Sequence, residues 1–87
     1  MFLRVILVRH GQSANNALVE GEGGWAAYYA RRSPDAPLTA LGERQAARAG
    51  ALLARMARGE MPVPLAAVFC SAMTRALHTA SLMAEAA

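Results

Sequence analysis

The feature that most constrains this chain is a long amphipathic run, roughly Ala40 to Arg58, set between two short apolar stretches, Phe2 to Val8 and Leu65 to Cys70. Both stretches have strand length, and the first is rich in β-branched residues, which reads as a buried strand of a parallel sheet. Thr39 suits the N-cap of the long run, which is predicted to be a helix. Leu41, Gln45, Ala49, Leu52, Leu53 and Met56 share the face predicted to turn inward. Arg44, Arg48 and Arg55 line the opposite face, and Gly59 and Pro62 end the helix. Ser71 is placed to cap a last helix that runs to the C-terminus. The order strand, helix, strand, helix is a βαβ unit with one more helix.

The predicted fold class is therefore α/β: residues 1–87 form the N-terminal, β-α-β-α portion of a three-layer α/β domain with a mainly parallel sheet. Two strands are too few for a doubly wound sheet, and the last helix stops without a cap or polar tail, so the sequence looks cut off. The outer edge of the second strand would offer unpaired N–H and C=O groups, a route to self-association. Between the first strand and the long helix, Gln12 to Ala17 reads as a loop or a first helical turn. Gly21-Glu22-Gly23-Gly24 is a break, Trp25 to Arg32 a short helix, and Ser33 to Pro37 a loop by its turn chemistry.

Composition removes several function classes. All nine basic residues are arginine. Without a lysine, these residues hold no P-loop, no protein-kinase lysine and no Schiff-base chemistry. One Asp, two His and one Cys do not furnish paired-aspartate chemistry or a closed zinc site, so neither metal nor cofactor is expected. Hydrophobic residues make up 55%, but Ala supplies 21 of them, which points to thinly packed helices. The net charge of +3 leans towards anionic partners, although a preference for Arg and Ala codons explains it equally well. The Arg44, Arg48 and Arg55 stripe lacks interleaved aromatics, so no nucleic-acid partner is expected. A lone Cys suggests a reducing compartment. Arg4 and Arg9 break the N-terminal apolar run before it reaches signal-peptide length. No run approaches the roughly 18 apolar residues of a membrane span. A cytoplasmic protein without a membrane partner is the expectation.

In a parallel α/β sheet, ligands bind beyond the carboxyl ends of the strands. Arg9-His10-Gly11 and the Ser71 to Arg75 segment should therefore meet on one rim. A histidine flanked by two arginines beside a helix N-terminus suits a phosphoryl group, with the arginine forks on its non-bridging oxygens. Gly11 lets the backbone come close. From the triplet alone, ordinary polar residues at a strand end is the better reading of Arg9 and His10.

Three ordered blocks alter that balance. They are Leu7-Val8-Arg9-His10-Gly11-Gln12-Ser13 with Asn16, Asp35 to Ala46 (DAPLTALGERQA), and Phe69 to Ala80 (FCSAMTRALHTA). With these blocks the chain resembles the histidine phosphatase superfamily, the phosphoglycerate mutase-like phosphatases, over nearly its whole length. The segment Ala17 to Pro34 matches nothing specific. The resemblance implies that His10 is the nucleophile that becomes phosphorylated, that Arg9 and Arg75 clamp phosphate, and that Asn16, Ser13 and Gly11 complete substrate binding. It implies a small phosphorylated substrate and no metal, the arginines neutralising the phosphate charge. Hydrolysis of a small phosphate monoester is the preferred activity; the alternatives are a phosphoglycerate mutase-type isomerase or a non-catalytic phosphate-binding fragment. The family's carboxylic general acid and second histidine are not identifiable in these residues.

The remaining chemistry-bearing residues read more plainly. His78 lies a turn beyond Arg75 and reads as a surface or packing residue. Glu20 and Glu22 read as solvated loop charges. Cys70 with Arg75 resembles the C-x5-R loop of cysteine-dependent phosphatases but is one residue short, and a buried strand-end cysteine is the better reading. Trp25, Tyr28 and Tyr29 form either a substrate lid or a small hydrophobic cluster. Met56, Met61, Met73 and Met83 read as core filler, and Gly21-x-Gly23-Gly24 is no dinucleotide fingerprint.

Overall fold

The computed structural model of the protein describes residues 4–59 and 67–86. Four helices follow in order: α1 Ala14–Glu20, α2 Gly24–Arg31, α3 Ala40–Arg58 and α4 Thr74–Ala86. The α3 helix begins where its cap dictates, with Thr39 Oγ1 accepting the Gly42 N–H at 3.1 Å. Glu43 in its first turn and Arg55 and Arg58 in its last complement the helix dipole. The α1 helix has only seven residues and depends on its start, where Ser13 and Asn16 form a reciprocal capping box.

Packing rotates the inner face of α3 away from the predicted one, leaving Ala49 and Leu53 half-buried and Arg44, Arg48 and Arg55 outside. Its buried residues are Gly42, Ala46, Gly50 and Ala54, four apart and all small, whereas Leu41, Gln45, Leu52 and Met56 are exposed. Small residues let the backbones themselves meet. A Cβ on Gly50 would lie 2.3 Å from the Met83 carbonyl oxygen of α4, and one on Gly42 would lie 2.1 Å from the Gln12 carbonyl oxygen. The α3 face is thus fixed by what can touch α4 and the segment after residue 10, and the larger side chains are left outside that contact. The resulting core is slight: among the described residues, Ala36, Leu38, Ala46 and Ala54 are the buried apolar ones, and no large side chain is fully buried.

The predicted sheet is absent among the described residues, so the β-α-β-α architecture is corrected to a helical one. Residues 4–8 of the first apolar stretch and 67–70 of the second have no regular structure, and residues 65 and 66 lie outside the described range, as does Pro62. Leu7 is 91% exposed and Phe69 is 92% exposed. The reason is that a strand, unlike a helix, satisfies its backbone groups only on a neighbouring strand, and neither segment finds one. What ladder there is lies elsewhere, in an isolated antiparallel bridge between Ser13 and Leu38. There Ala14 donates to the Pro37 carbonyl at 2.8 Å, and Thr39 donates to that of Gln12 at 3.0 Å. The sheet edge expected to drive self-association is not formed among the described residues, and Cys70, read as buried, is exposed. No helix among these residues is long and apolar enough to cross a membrane.

Candidate active site

The segment from Arg9 to Ser13 is held from three sides. Gly11 is buried against α3, and a Cβ there would lie 2.3 Å from the Gly42 carbonyl oxygen, so the approach requires a glycine at both positions. From α4, Thr79 Oγ1 accepts the Gly11 N–H at 3.1 Å and donates to the Arg75 carbonyl at 2.7 Å. Thr79 is itself buried, so one hydroxyl ties the residue after His10 to the helix turn carrying Arg75. The Gln12 N–H donates to Gln45 Oε1 at 2.8 Å, and the Gln12 side chain donates to Glu20 and accepts from Thr39, each at 2.6 Å.

His10 is half-buried, with Nδ1 2.6 Å from the Gly11 carbonyl oxygen. A carbonyl can only accept, so in the neutral ring Nδ1 carries the hydrogen and Nε2 keeps its lone pair. That is the tautomer a nucleophilic imidazole requires.

Two clefts meet at His10. The larger, about 530 Å3, has His10, Ser13, Asn16 and Arg75 on one side and Tyr28 and Arg32 on the other. The smaller, about 250 Å3, places Arg9 and Glu20 beside His10 and Asn16. The two predicted arginine clamps therefore flank His10 without sharing one cleft, and His10 and Asn16 are common to both. Gly11 lines neither and contributes its close approach to α3. Ser13 is buried, and its hydroxyl accepts the Asn16 N–H at 3.1 Å. The Asn16 Oδ1 accepts the Ser13 N–H at 3.0 Å, which fixes the amide and leaves Nδ2 as its remaining donor. His78 and Cys70 line neither cleft.

At the start of α4, Ser71 does not cap the helix as predicted: its hydroxyl accepts the N–H of Met73, the residue before the first turn, at 3.2 Å. The next donor, the Thr74 N–H, goes to Asp35 at 2.9 Å, and the Thr74 hydroxyl donates to the other carboxylate oxygen. These bonds, the hydroxyl's first, hold the exposed Asp35 carboxyl below the usual carboxylate range; slight desolvation opposes them and the Arg75 charge assists. Asp35 thus positions the helix turn from which Arg75 reaches the cleft.

Three functional contributors escaped the sequence reading. Asp35 and Thr79 lie inside quoted blocks, but their partners are 39 and 68 residues away, at Thr74 and Gly11. Arg32 lies in the segment that matched nothing. Its guanidinium carbon stands 5.6 Å from the Tyr28 ring centre and 5.5 Å from that of Tyr29. Trp25, Tyr28 and Tyr29 do form a cluster, with Tyr28 on the cleft wall while Trp25 and Tyr29 remain exposed. The loop behind it is clamped by Asn15, which exchanges two hydrogen bonds with the Ser33 backbone at 2.8 and 2.9 Å.

A model of the histidine phosphatase superfamily (branch 1) matches residues 5–87. Among characterised proteins, the chain is similar to 2,3-bisphosphoglycerate-dependent phosphoglycerate mutases of Bifidobacterium longum, from two strains and from subspecies infantis. Each is 38% identical over all 87 residues, and the chain spans about 30% of the length of these relatives. No solved structure matches the chain.

Proposed function

The chain belongs to the histidine phosphatase superfamily, and from that premise we propose that His10 Nε2 takes a phosphoryl group from a small phosphate ester and passes it on. The observation that carries this reading is the His10 tautomer, with Nδ1–H directed to the Gly11 carbonyl and Nε2 left for the cleft that Arg75 and Asn16 line. Attack by Nε2 forms the N–P bond as the ester P–O bond breaks, and the departing oxygen takes a proton from a general acid. No carboxylate lines the larger cleft among the described residues. Arg75 on one side and Arg9 on the other hold negative charge on the transferring oxygens, and positioning with charge stabilisation does most of the catalytic work.

Within the family resemblance hydrolysis is preferred only because mutases are a narrower class. The similarity to phosphoglycerate mutases supports the alternative better, so transfer from His10 to a second hydroxyl is placed first and transfer to water second. Both use the same first step. The test is to incubate purified protein with a radiolabelled phosphoglycerate and trap the phosphoprotein. The label is expected to be acid-labile and alkali-stable, lost in His10→Ala, retained in Cys70→Ser, and chased onto an added unlabelled phosphoglycerate. A chase that yields only inorganic phosphate would favour hydrolysis. An acid-stable label that Cys70→Ser abolishes would overturn the His10 assignment.

A further inference from the structure

The larger cleft presents an arginine on each wall, one beside His10 and one facing it. Arg75 and His10 account for the phosphoryl group on one wall, and Arg32 stands on the other. No Asp or Glu lines this cleft, and no carboxylate is hydrogen-bonded to Arg32 among the described residues. An arginine guanidinium stacked on aromatic faces loses little further freedom when it meets an anion, because its planar fork is already oriented. The stack on Tyr28 and Tyr29 does this for Arg32, and the Asn15 clamp on Ser33 holds the adjoining backbone. A volume of about 530 Å3 lies within the usual range for small-molecule sites and exceeds what one phosphate fills.

We propose that Arg32 is a specificity-determining residue that receives a second anionic group of the substrate, separate from the phosphoryl group passed to His10. The inference rests on the phosphoryl-transfer reading of the same cleft and assigns the substrate to the phosphorylated acids, with one charge at each end. Tyr28 and Tyr29 act on the substrate only by orienting Arg32.

Titration calorimetry on the purified protein tests this with three probes: inorganic phosphate, 2-phosphoglycerate, and glycerol 2-phosphate, which has a hydroxymethyl group in place of the carboxylate. In the unaltered protein, 2-phosphoglycerate is expected to bind more tightly than glycerol 2-phosphate. Arg32→Gln should weaken 2-phosphoglycerate about ten-fold or more, the usual scale for one lost charged hydrogen-bond pair. It should leave the other two probes within about two-fold, and Arg32→Lys should recover part of the loss. Arg75→Ala should weaken all three probes. Equal losses on all three probes in Arg32→Gln would place Arg32 in the phosphoryl subsite and overturn the proposal. No change in any, or no preference of the unaltered protein for the acid, would overturn it too. A failure of Arg75→Ala to weaken phosphate would instead count against the phosphoryl site, while a selective Arg32→Gln effect would still stand.

Discussion

Two regions of this chain, the α3 face and the α2 aromatics, are held by opposite means. Along α3, glycine and alanine bring backbone onto backbone, against Met83 of α4 and against Gln12 of the His10 segment. In α2, by contrast, Trp25, Tyr28 and Tyr29 touch one another through long side chains that remain partly in solvent, with Trp25 62% and Tyr29 67% exposed. The difference teaches which geometry has slack. A backbone-to-backbone contact cannot accommodate one extra methyl without moving a helix, whereas an exposed aromatic cluster can rearrange at small cost. Accordingly, His10 sits on the rigid side, and Arg32 stands on the adaptable side.

The largest effect should come from Gly50→Ala. Within a helix this change ordinarily stabilises by roughly 1 kcal/mol. Here the new methyl would stand 2.3 Å from the Met83 carbonyl oxygen and against its backbone carbons, and overpacking of about 3 kcal/mol or more should reverse the sign. Urea denaturation checks it against Gly59→Ala, where the nearest atom to the new methyl is 3.6 Å away and little change is expected. Trp25→Ala, on the adaptable side, should cost less than Gly50→Ala. A Gly50→Ala protein as stable as the unaltered one would erase the contrast.

Thr79→Val sharpens the comparison at the site itself. It keeps the shape but leaves the Gly11 N–H without its acceptor, a loss of about 1–3 kcal/mol for a buried donor. Thermal unfolding should show the loss, phosphate affinity should fall with it, and Thr79→Ser should restore both. Normal affinity in a destabilised Thr79→Val protein would mean that the Gly11 bond supports the fold but not the site.

The smallest effect is expected at Asp35, which joins the loop after α2 to the start of α4. Its folded pKa is depressed, so its contribution is fully present above the unfolded carboxylate range and is lost as pH falls through the folded value. Melting temperatures of the unaltered protein and Asp35→Asn should therefore differ slightly at neutral pH and converge in acid. The carboxyl is solvent-exposed, which keeps the effect small. A gap that widens in acid would contradict the Thr74 contacts as its cause.

Local signals were legible without a structure. Thr39 and Gly59 bound α3 as read, because a cap and a helix ladder lie within a few residues of each other along the chain. The family was equally legible, since Arg9-His10-Gly11 and the Arg75 block carry the resemblance that the superfamily match over residues 5–87 supports. The inner face of α3 was not legible. Counting apolar residues favours Leu41, Leu52 and Met56, but burial depends on what a face meets, and the neighbouring backbones admit only Gly42, Ala46, Gly50 and Ala54.

The sequence by itself determined where α3 starts and ends, that the cations around the clefts would be arginines rather than lysines, and which histidine stands beside Arg9. Tertiary structure alone decided the rest. It left Leu7 and Phe69 in solvent instead of in strands, because pairing is a property of two segments and not of one. It set Arg9 and Arg75 in separate clefts around His10 and gave Arg32 a place on the larger one. It also joined Gly11 to Thr79 and Asp35 to Thr74 across 68 and 39 residues. Contacts of that span depend on how close the helices can come, and in this chain the glycines of α3 set that distance.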